Sequence, residues 1–348
     1  MKQTLWWLLA LCLLVMVVLW RQTPELKPLT MPVFTPPATE LTAPLQKVAA
    51  STAAATLHVT ERLEAQMQQQ FSLVASAYAA ELNHPPYSRP LTADDSQLLN
   101  PNQYVVQPMP LQGGASAAIV LEQYRFIYPD PLNVSLVLSG LAASQAQLSM
   151  LDEQNGERLV QLAMQPTAEG FSATLPASKD WHGAMRLEVS FRADGQRQLL
   201  HTGIEYQQPT AQITGLASAY AEGPDLVIPV QLDVSQAGTY RLRANLFSEQ
   251  GQPLANLVVS DYLDSGEQML NLRAFKAVLA GVEGPYLLNT LVLERRSGAP
   301  GEVSRYGNSQ QAEYQVDYRG LEHISDEPWQ KDETELLRLQ FLQQLSGG

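Results

Sequence analysis

The sequence predicts a mainly β protein in which two β-sandwiches follow each other along the chain, with a transmembrane helix and an amphipathic helix before them and a short helix after them. Three observations support this fold class. The chain opens with a long apolar stretch, it consists of short alternating apolar runs from residue 119 onward, and LDEQNGERLV at residues 151–160 is echoed by LFSEQGQPLA at residues 246–255. With 348 residues, the chain is long enough for two domains of about 100 residues each.

A membrane anchor is predicted over residues 1–21. The uncharged run Thr4–Trp20 lies between Lys2 and Arg21, and its length is close to the minimum for a helix that crosses a bilayer. No small-residue cleavage motif precedes Arg21, so we expect the segment to stay attached. The anchor and the long hydrophilic chain behind it predict a single-pass protein of a bacterial inner membrane, with most of the chain in the periplasm.

An amphipathic helix is predicted over residues 46–82, after a spacer at residues 22–45 that contains six prolines. The helical segment lacks Gly and Pro and repeats its apolar residues at steps of three and four. We expect this stripe either to pack on the β structure of the same chain or to associate with a second copy beside the membrane. The residues of this helix proposed to contact a partner are Val59, Leu63, Met67 and Phe71.

Two sets of predicted strands follow an extended linker at residues 83–118, which is rich in Pro, Asn and Gly. The first set occupies residues 119–208 and the second occupies residues 209–321. Each set has about seven short runs of Val, Leu, Ile, Tyr or Phe between turn residues, a pattern typical of immunoglobulin-like or fibronectin-like sandwiches.

The echoed stretch predicts the same β-hairpin in both sets. Gly156 and Gly251 lie at the turn, and the next strand begins three residues later in each copy. Glycine supplies the positive φ that a tight hairpin turn requires. Residues 183–187 (GAMRL) and 284–288 (GPYLL) continue the match, so the sequence predicts two copies of one module.

The strand and turn residues of the second set form a recognisable pattern. They are Val234, Gly238–Leu242, the hairpin Gly251–Ala255, and Gly284–Tyr286 ahead of Leu291–Leu293. With this pattern, the second set resembles the modules of uncharacterised proteobacterial proteins that are exported or membrane-anchored and carry tandem immunoglobulin-like β-sandwiches. The resemblance implies a sandwich fold and a place outside the cytoplasm, and it brings no known reaction and no catalytic residue.

A short helix is predicted in the tail, residues 322–348. Asp332 followed three residues later by Glu335 resembles a capping box, which marks the start of a helix. The apolar side chains after it point almost all round the helix, so we expect it either to dock on the second sandwich or to bind a partner protein in a groove. The tail residues proposed to contact a partner are Leu336, Leu339, Phe341, Leu342 and Leu345.

No pattern of catalytic or metal-binding residues stands out. The five histidines are far apart, a single Cys12 excludes an intrachain disulfide, and the acidic residues at 261–267 lack the alternating spacing of a calcium loop. The formal charge of −13 argues against a nucleic-acid partner. We therefore expect a non-catalytic protein without a cofactor or metal.

These features together predict a membrane-anchored periplasmic scaffold that binds other envelope proteins. The alternative is an ectodomain that binds polysaccharide or peptidoglycan, alone or with an enzyme, at the joint between the two sandwiches. Carboxylates or aromatic rings that converge in a cleft at the joint favour the alternative, whereas an apolar patch on either helix favours the scaffold.

Overall fold

The structure, a computed structural model, describes residues 65–193 and 195–347. The predicted anchor, the spacer and the first part of the predicted amphipathic helix, which includes Val59 and Leu63, lie outside the described residues. Within the described ranges, none of the helices combines the length and the apolar character that crossing a bilayer requires.

The described chain is mainly β, which confirms the prediction from its alternating apolar runs. Strands such as the one at Gly183–Ala193 alternate buried and less buried side chains along their length, as a strand with one face in a core does. The strands of the first half are β1 (Ser88–Pro90), β2 (Met109–Pro110), β3 (Ser116–Leu121), β4 (Arg125–Ile127), β5 (Leu132–Ser139), β6 (Ala143–Asp152), β7 (Arg158–Ala163), β8 (Gln165–Pro166), β9 (Gly170–Leu175), β10 (Gly183–Ala193) and β11 (Gln196–Gln207). Those of the second half are β12 (Ala211–Leu216), β13 (Tyr220–Glu222), β14 (Asp225–Val234), β15 (Gly238–Ser248), β16 (Pro253–Leu263), β17 (Gly266–Phe275), β18 (Tyr286–Arg295), β19 (Arg305–Tyr306), β20 (Asn308–Ser309) and β21 (Glu313–Val316).

The first sandwich consists of two sheets that enclose one core. One sheet has the order β2-β3-β5-β9-β8, and the other has the order β4-β11-β10-β6-β7. Side chains from both sheets meet in the core, among them Leu136 of the first sheet and Leu148 and Val189 of the second. Trp181 also lies in this core. Its ring packs edge to face against that of Tyr206, with the two ring centroids 5.3 Å apart, as is typical of a packing residue.

The second sandwich is built in the same way. One sheet has the order β13-β14-β12-β20, and β17 also pairs with β14. The other sheet has the order β1-β16-β15-β18-β19, and β21 also pairs with β18. Leu232 of the first sheet and Leu242 and Leu288 of the second lie in one core.

One strand order occurs in both sandwiches. The strands β3-β5-β9 correspond to β12-β14-β17, and β7-β6-β10-β11 correspond to β16-β15-β18-β21. The echoed stretches lie in equivalent hairpins, β6–β7 in the first sandwich and β15–β16 in the second. Gly156 and Gly251 occupy the two turns with φ values of +70° and +79°, which explains why both copies of the turn contain glycine.

Residues 83–118, predicted as an extended linker, are attached to the second sandwich near Ser88. β1 pairs with β16 of the second sandwich, and the fully buried Ser88 accepts a hydrogen bond at its Oγ from the Phe275 N–H at 3.0 Å. Leu91 is buried beside it. Composition shows that the segment is extended, but it does not show that the edge of β16 is available to pair with it.

Two longer helices lie outside the sandwiches. The chain is helical from residue 65, where the described part begins, to residue 81, and we call this segment the stalk helix. The tail helix is Glu333–Leu345, which confirms the predicted C-terminal helix. Shorter helical turns are Gln112–Gly114, Lys276–Leu279, Leu321–His323 and the single α-turn Ser96–Leu99.

Candidate functional site

The stalk and tail helices lie side by side and run in opposite directions. Tyr78 of the stalk helix donates a hydrogen bond to the carboxylate of Glu335, near the start of the tail helix. Gly347, just after the tail helix, faces the amide of Gln68. Residue numbers therefore rise along one helix as they fall along the other. The tail helix thus packs on the stalk helix, a pairing that the sequence did not predict.

The chain that leads into the tail helix is attached to the second sandwich. Ile324 is buried in its core, and Lys276 donates to the Ile324 carbonyl at 2.7 Å while pairing with Asp326 at 2.7 Å. Asp332 then caps the tail helix, and its carboxylate accepts from the Thr334 N–H at 2.7 Å. These hydrogen bonds lower the pKa of Asp332 and keep the cap ionised at neutral pH.

The residues predicted to contact a partner divide into two groups in the structure. Leu339, Leu342 and Phe71 are half-buried. Phe341 and Met67 leave 60% and 49% of their surfaces exposed. Two further predicted residues stay exposed, Leu336 and Leu345. Pairing of the helices therefore covers only part of their apolar surface.

Several exposed apolar residues share one side of the helix pair, although Leu73 and Leu336 are exposed elsewhere on it. Met67 and Val74 lie two turns apart on the stalk helix and so share a face. Leu337 and Phe341 lie one turn apart on the tail helix, and both line a groove of about 530 Å³ together with Tyr78. Tyr78 lies one turn after Val74 on the stalk helix. The groove therefore places Met67 and Val74 on the same side of the helix pair as Leu337 and Phe341. We call this surface the apolar face: Met67, Val74, Tyr78, Leu337, Phe341 and Leu345.

A stack of Arg125 on Tyr306 holds the two sandwiches together at their joint. The guanidinium lies 3.6 Å from the ring centroid, and Arg125 Nε donates to Glu205 Oε2 at 2.9 Å. The Tyr306 N–H donates to Gln207 Oε1 at 3.0 Å, and the Thr210 N–H donates to the Tyr306 carbonyl at 3.1 Å. Because these contacts connect strands of both sandwiches, the joint is a packed interface.

The segment that precedes the first sandwich also crosses this joint. Asn245, which is 1% exposed in the second sandwich, donates from Nδ2 to the Leu98 carbonyl at 2.8 Å. Asn102 then binds the backbone of Arg125 twice, donating to its carbonyl at 2.7 Å and accepting from its N–H at 2.8 Å. The segment is therefore tied to the second sandwich first and to the first sandwich a few residues later.

A cleft of about 720 Å³ opens at the joint, and we call it the joint cleft. Its lining comes from residues 99–103 of the crossing segment, residues 122–130 of the first sandwich, and residues 290–312 together with Ile213 of the second. Glu122, Asp130 and Tyr306 are among the lining residues. Two carboxylates and an aromatic residue thus border a cleft at the joint, where the alternative function places its ligand.

Partial burial in the cleft wall raises the pKa of Asp130 above its ordinary value, although hydrogen bonds from Gln123 and Ile127 act in the opposite direction. Asp130 lies between β4 and β5, a position typical of a turn residue. Its position in a cleft wall is the additional finding.

Strand β18 bulges where it borders the joint cleft. The register of its pairing with β15 shifts between Asn289 and Val292, and Thr290 between them has φ +53°. A β-branched residue seldom adopts a positive φ, and bulges and strained residues of this kind occur often beside binding sites. Thr290 and Leu291 both line the cleft as a result.

Sequence reasoning named the joint as the place of a ligand site only for the alternative function, and it named none of the residues of the cleft. Arg125 belongs to an ordinary strand run and Tyr306 follows a Gly- and Ser-containing stretch, and nothing in their local sequence distinguishes either residue. They come together only because the two sandwiches meet. The one usable signal was the short joint itself, which implied that the ends of the two modules lie close together.

Comparison with known proteins finds one family. Residues 210–309 match the model of the C-terminal domain of a family described as a domain of unknown function, DUF4785. No curated protein matches the chain significantly.

Among solved structures, the chain is similar to a DUF4785 family protein from Legionella pneumophila, with 18% identity, 52% of this chain and 53% of that one covered, and a TM-score of 0.40. It is also similar to a Salmonella alpha-2-macroglobulin mutant, with 10% identity, 61% of this chain and 15% of that one covered, and a TM-score of 0.30. The chain thus spans about half the length of the Legionella structure. The family match with the DUF4785 C-terminal domain lies within the second sandwich and ends at β20.

Proposed function

We propose that this protein is a non-catalytic scaffold of a bacterial envelope assembly. In this proposal the N-terminal anchor holds the chain at the inner membrane, and the remainder lies in the periplasm. The two sandwiches are taken as immunoglobulin-like modules, since both contain the same antiparallel strand order. The helix pair binds an envelope protein or a second copy of the chain.

The apolar face of the helix pair is the observation that carries this proposal. Leu337 and Phe341 are each 60% exposed and Val74 is 52% exposed, although all three lie in well-formed helices. Clustered apolar side chains on a soluble surface are typical of interaction sites. A row of such residues at steps of four is also the pattern that a partner groove accepts.

In-cell photocrosslinking of the intact chain tests the scaffold. A photoreactive amino acid replaces Leu337 on the apolar face or, as a matched control, Leu199, a 51% exposed leucine on β11 of the first sandwich. We expect the same envelope protein, or a second copy, to be captured repeatedly from position 337 and not from 199. Phe341→Asp should abolish this capture, because it places a charge in the contact.

The scaffold is contradicted if position 337 captures nothing, or if positions 337 and 199 capture the same set of proteins. The expression level and melting temperature of each variant need to match those of the wild type, so that a loss of capture is not a loss of folding.

A second candidate function is ligand binding at the joint cleft, the polysaccharide- or peptidoglycan-binding alternative. Glu122, Asp130 and Tyr306 in the cleft wall favour it. The joint cleft and the apolar face share no residue. Substitutions at one surface can therefore remove one function and leave the other.

A further inference from the structure

We infer that the joint cleft binds a neutral, hydroxyl-rich ligand, and that this ligand is a stretch of glycan chain. The inference rests on the second candidate function, ligand binding at the joint. It is independent of the scaffold, because the cleft contains no residue of the apolar face.

The size and construction of the cleft suit a small ligand. Its volume of about 720 Å³ lies within the range of about 300–1,000 Å³ that is common for such sites. Its walls are held in place before a ligand arrives, by the hydrogen bonds of Asn245 to Leu98 and of Asn102 to Arg125. A wall fixed in this way loses little conformational freedom on binding.

Side-chain amides make up half of the polar residues that line the cleft. An amide both donates and accepts hydrogen bonds, and so does a sugar hydroxyl, whereas an ionised carboxylate only accepts. Asn100, Gln103 and Gln311 are exposed and therefore accessible to a ligand. The full set of lining amides is Asn100, Asn102, Gln103, Gln123, Asn308 and Gln311.

The charges around the cleft disfavour an anionic ligand. Among the described residues that line it, Arg125 is the one cation, and Glu205 already pairs with it at 2.9 Å. Glu122 and Asp130 add two carboxylates to the wall. A ligand that carries phosphate, sulfate or carboxylate groups would approach this negative charge without a free cation to balance it.

Apolar residues between the polar ones disfavour a simple polyamine. Leu99, Ile127 and Leu291 line the cleft beside the amides, and each is half-buried and so leaves part of its side chain accessible. A pyranose ring presents C–H groups on its faces and hydroxyls on its edge, so it can contact both kinds of surface at once. Most binding sites combine an apolar lining with a few polar groups in the same way.

Isothermal titration calorimetry of the full chain with chitotetraose, a neutral tetrasaccharide, tests the inference. Ala312→Trp places an indole in the cleft from an exposed position and should weaken binding at least tenfold. Ala299→Trp, at an exposed position on a loop of the same sandwich that does not line the cleft, is the matched control and should leave the affinity unchanged. Gln311→Ala removes one hydrogen-bonding group and should weaken binding about fivefold.

Three results would overturn the inference. They are the absence of binding to both chitotetraose and cellotetraose, an equal affinity of the wild type and Ala312→Trp, and tighter binding of spermine or of a heparin tetrasaccharide. If Ala312→Trp lowers the melting temperature, the comparison of Gln311→Ala with the wild type decides instead. Crosslinking from position 337 is unaffected in each case, so this failure is distinct from that of the scaffold.

Discussion

The second sandwich and the helix pair use their apolar side chains in opposite ways. In the sandwich, Leu242 and Leu288 are completely buried between two sheets. In the tail helix, all of whose residues are described, no residue is buried, and Phe341 keeps 60% of its surface exposed. Each sheet has another sheet to cover it, whereas each helix is covered on one side only. Stability therefore resides mainly in the sandwiches, and the apolar face remains available for binding.

The largest expected difference is between truncations of a buried and of an exposed apolar side chain. Leu242→Ala leaves a cavity in the second core and should reduce the free energy of unfolding by about 2–5 kcal/mol. Phe341→Ala should change it by less than about 0.5 kcal/mol, because most of the side chain is already exposed and its loss leaves no cavity in a core. Urea denaturation followed by circular dichroism measures both. Equal losses from the two variants would break the comparison.

An ion pair in each region sharpens the comparison. Arg241 pairs with Glu294, whose side chain is 10% exposed, whereas Arg338 in the tail helix is 64% exposed and pairs with Glu335. Glu294→Gln should reduce the free energy of unfolding by about 1–3 kcal/mol at pH 7, because it weakens a hydrogen bond to a mostly buried charged group. Arg338→Gln should cost less than about 1 kcal/mol, as is usual for surface pairs.

The effect of Glu294 should also depend on pH. Burial favours the neutral acid and would raise the pKa of Glu294, but hydrogen bonds from Arg241 and Ser304, with the nearby positive charges, outweigh it and hold the pKa below the ordinary value of 4.5. The stabilisation is therefore complete above pH 4.5 and is lost as the pH falls below that value. The difference between wild type and Glu294→Gln should shrink over this acidic range in urea titrations, and a difference that grows there would contradict the assignment.

The smallest expected effect on stability comes from deleting residues 332–348. The sandwiches should still unfold cooperatively, with a change of less than about 0.5 kcal/mol, since the tail helix contributes nothing to either core. Crosslinking from Met67, which stays in the chain, should nevertheless be lost because half of the apolar face is gone. Differential scanning calorimetry checks the first outcome, and loss of cooperative melting would show that the two regions are not separate.

Much of the fold could be predicted from the sequence because the signals are local. Alternation along β5 and β10 follows the two-residue period of a strand with one buried face. The glycines at 156 and 251 mark hairpins because few other residues accept their φ values. Asp332 marks the start of the tail helix because its side chain caps residues only two or three positions away.

Other parts of the structure left no local signal. The Pro- and Asn-rich composition at 83–118 shows an extended chain, yet the pairing of β1 with β16 depends on a free sheet edge far along the chain. The same holds for the joint cleft: the sequence indicated the joint only as the ligand site of the alternative function, and it did not indicate Arg125, Tyr306 or the strained Thr290. Val59 and Leu63, proposed as partner contacts, lie outside the described residues and stay predictions.

Local sequence thus specifies the strands, the repeated hairpins and the tail helix, because period, turn residues and caps act over a few neighbouring residues. Which elements meet is a property of the folded chain. Tyr78 and Glu335 are 257 positions apart and pair only because the chain before the tail helix is attached to the second sandwich. Arg125 and Tyr306 stack only once both sandwiches have formed. Such contacts depend on the surfaces that remain uncovered after each sheet has packed, and no short stretch of sequence carries that information.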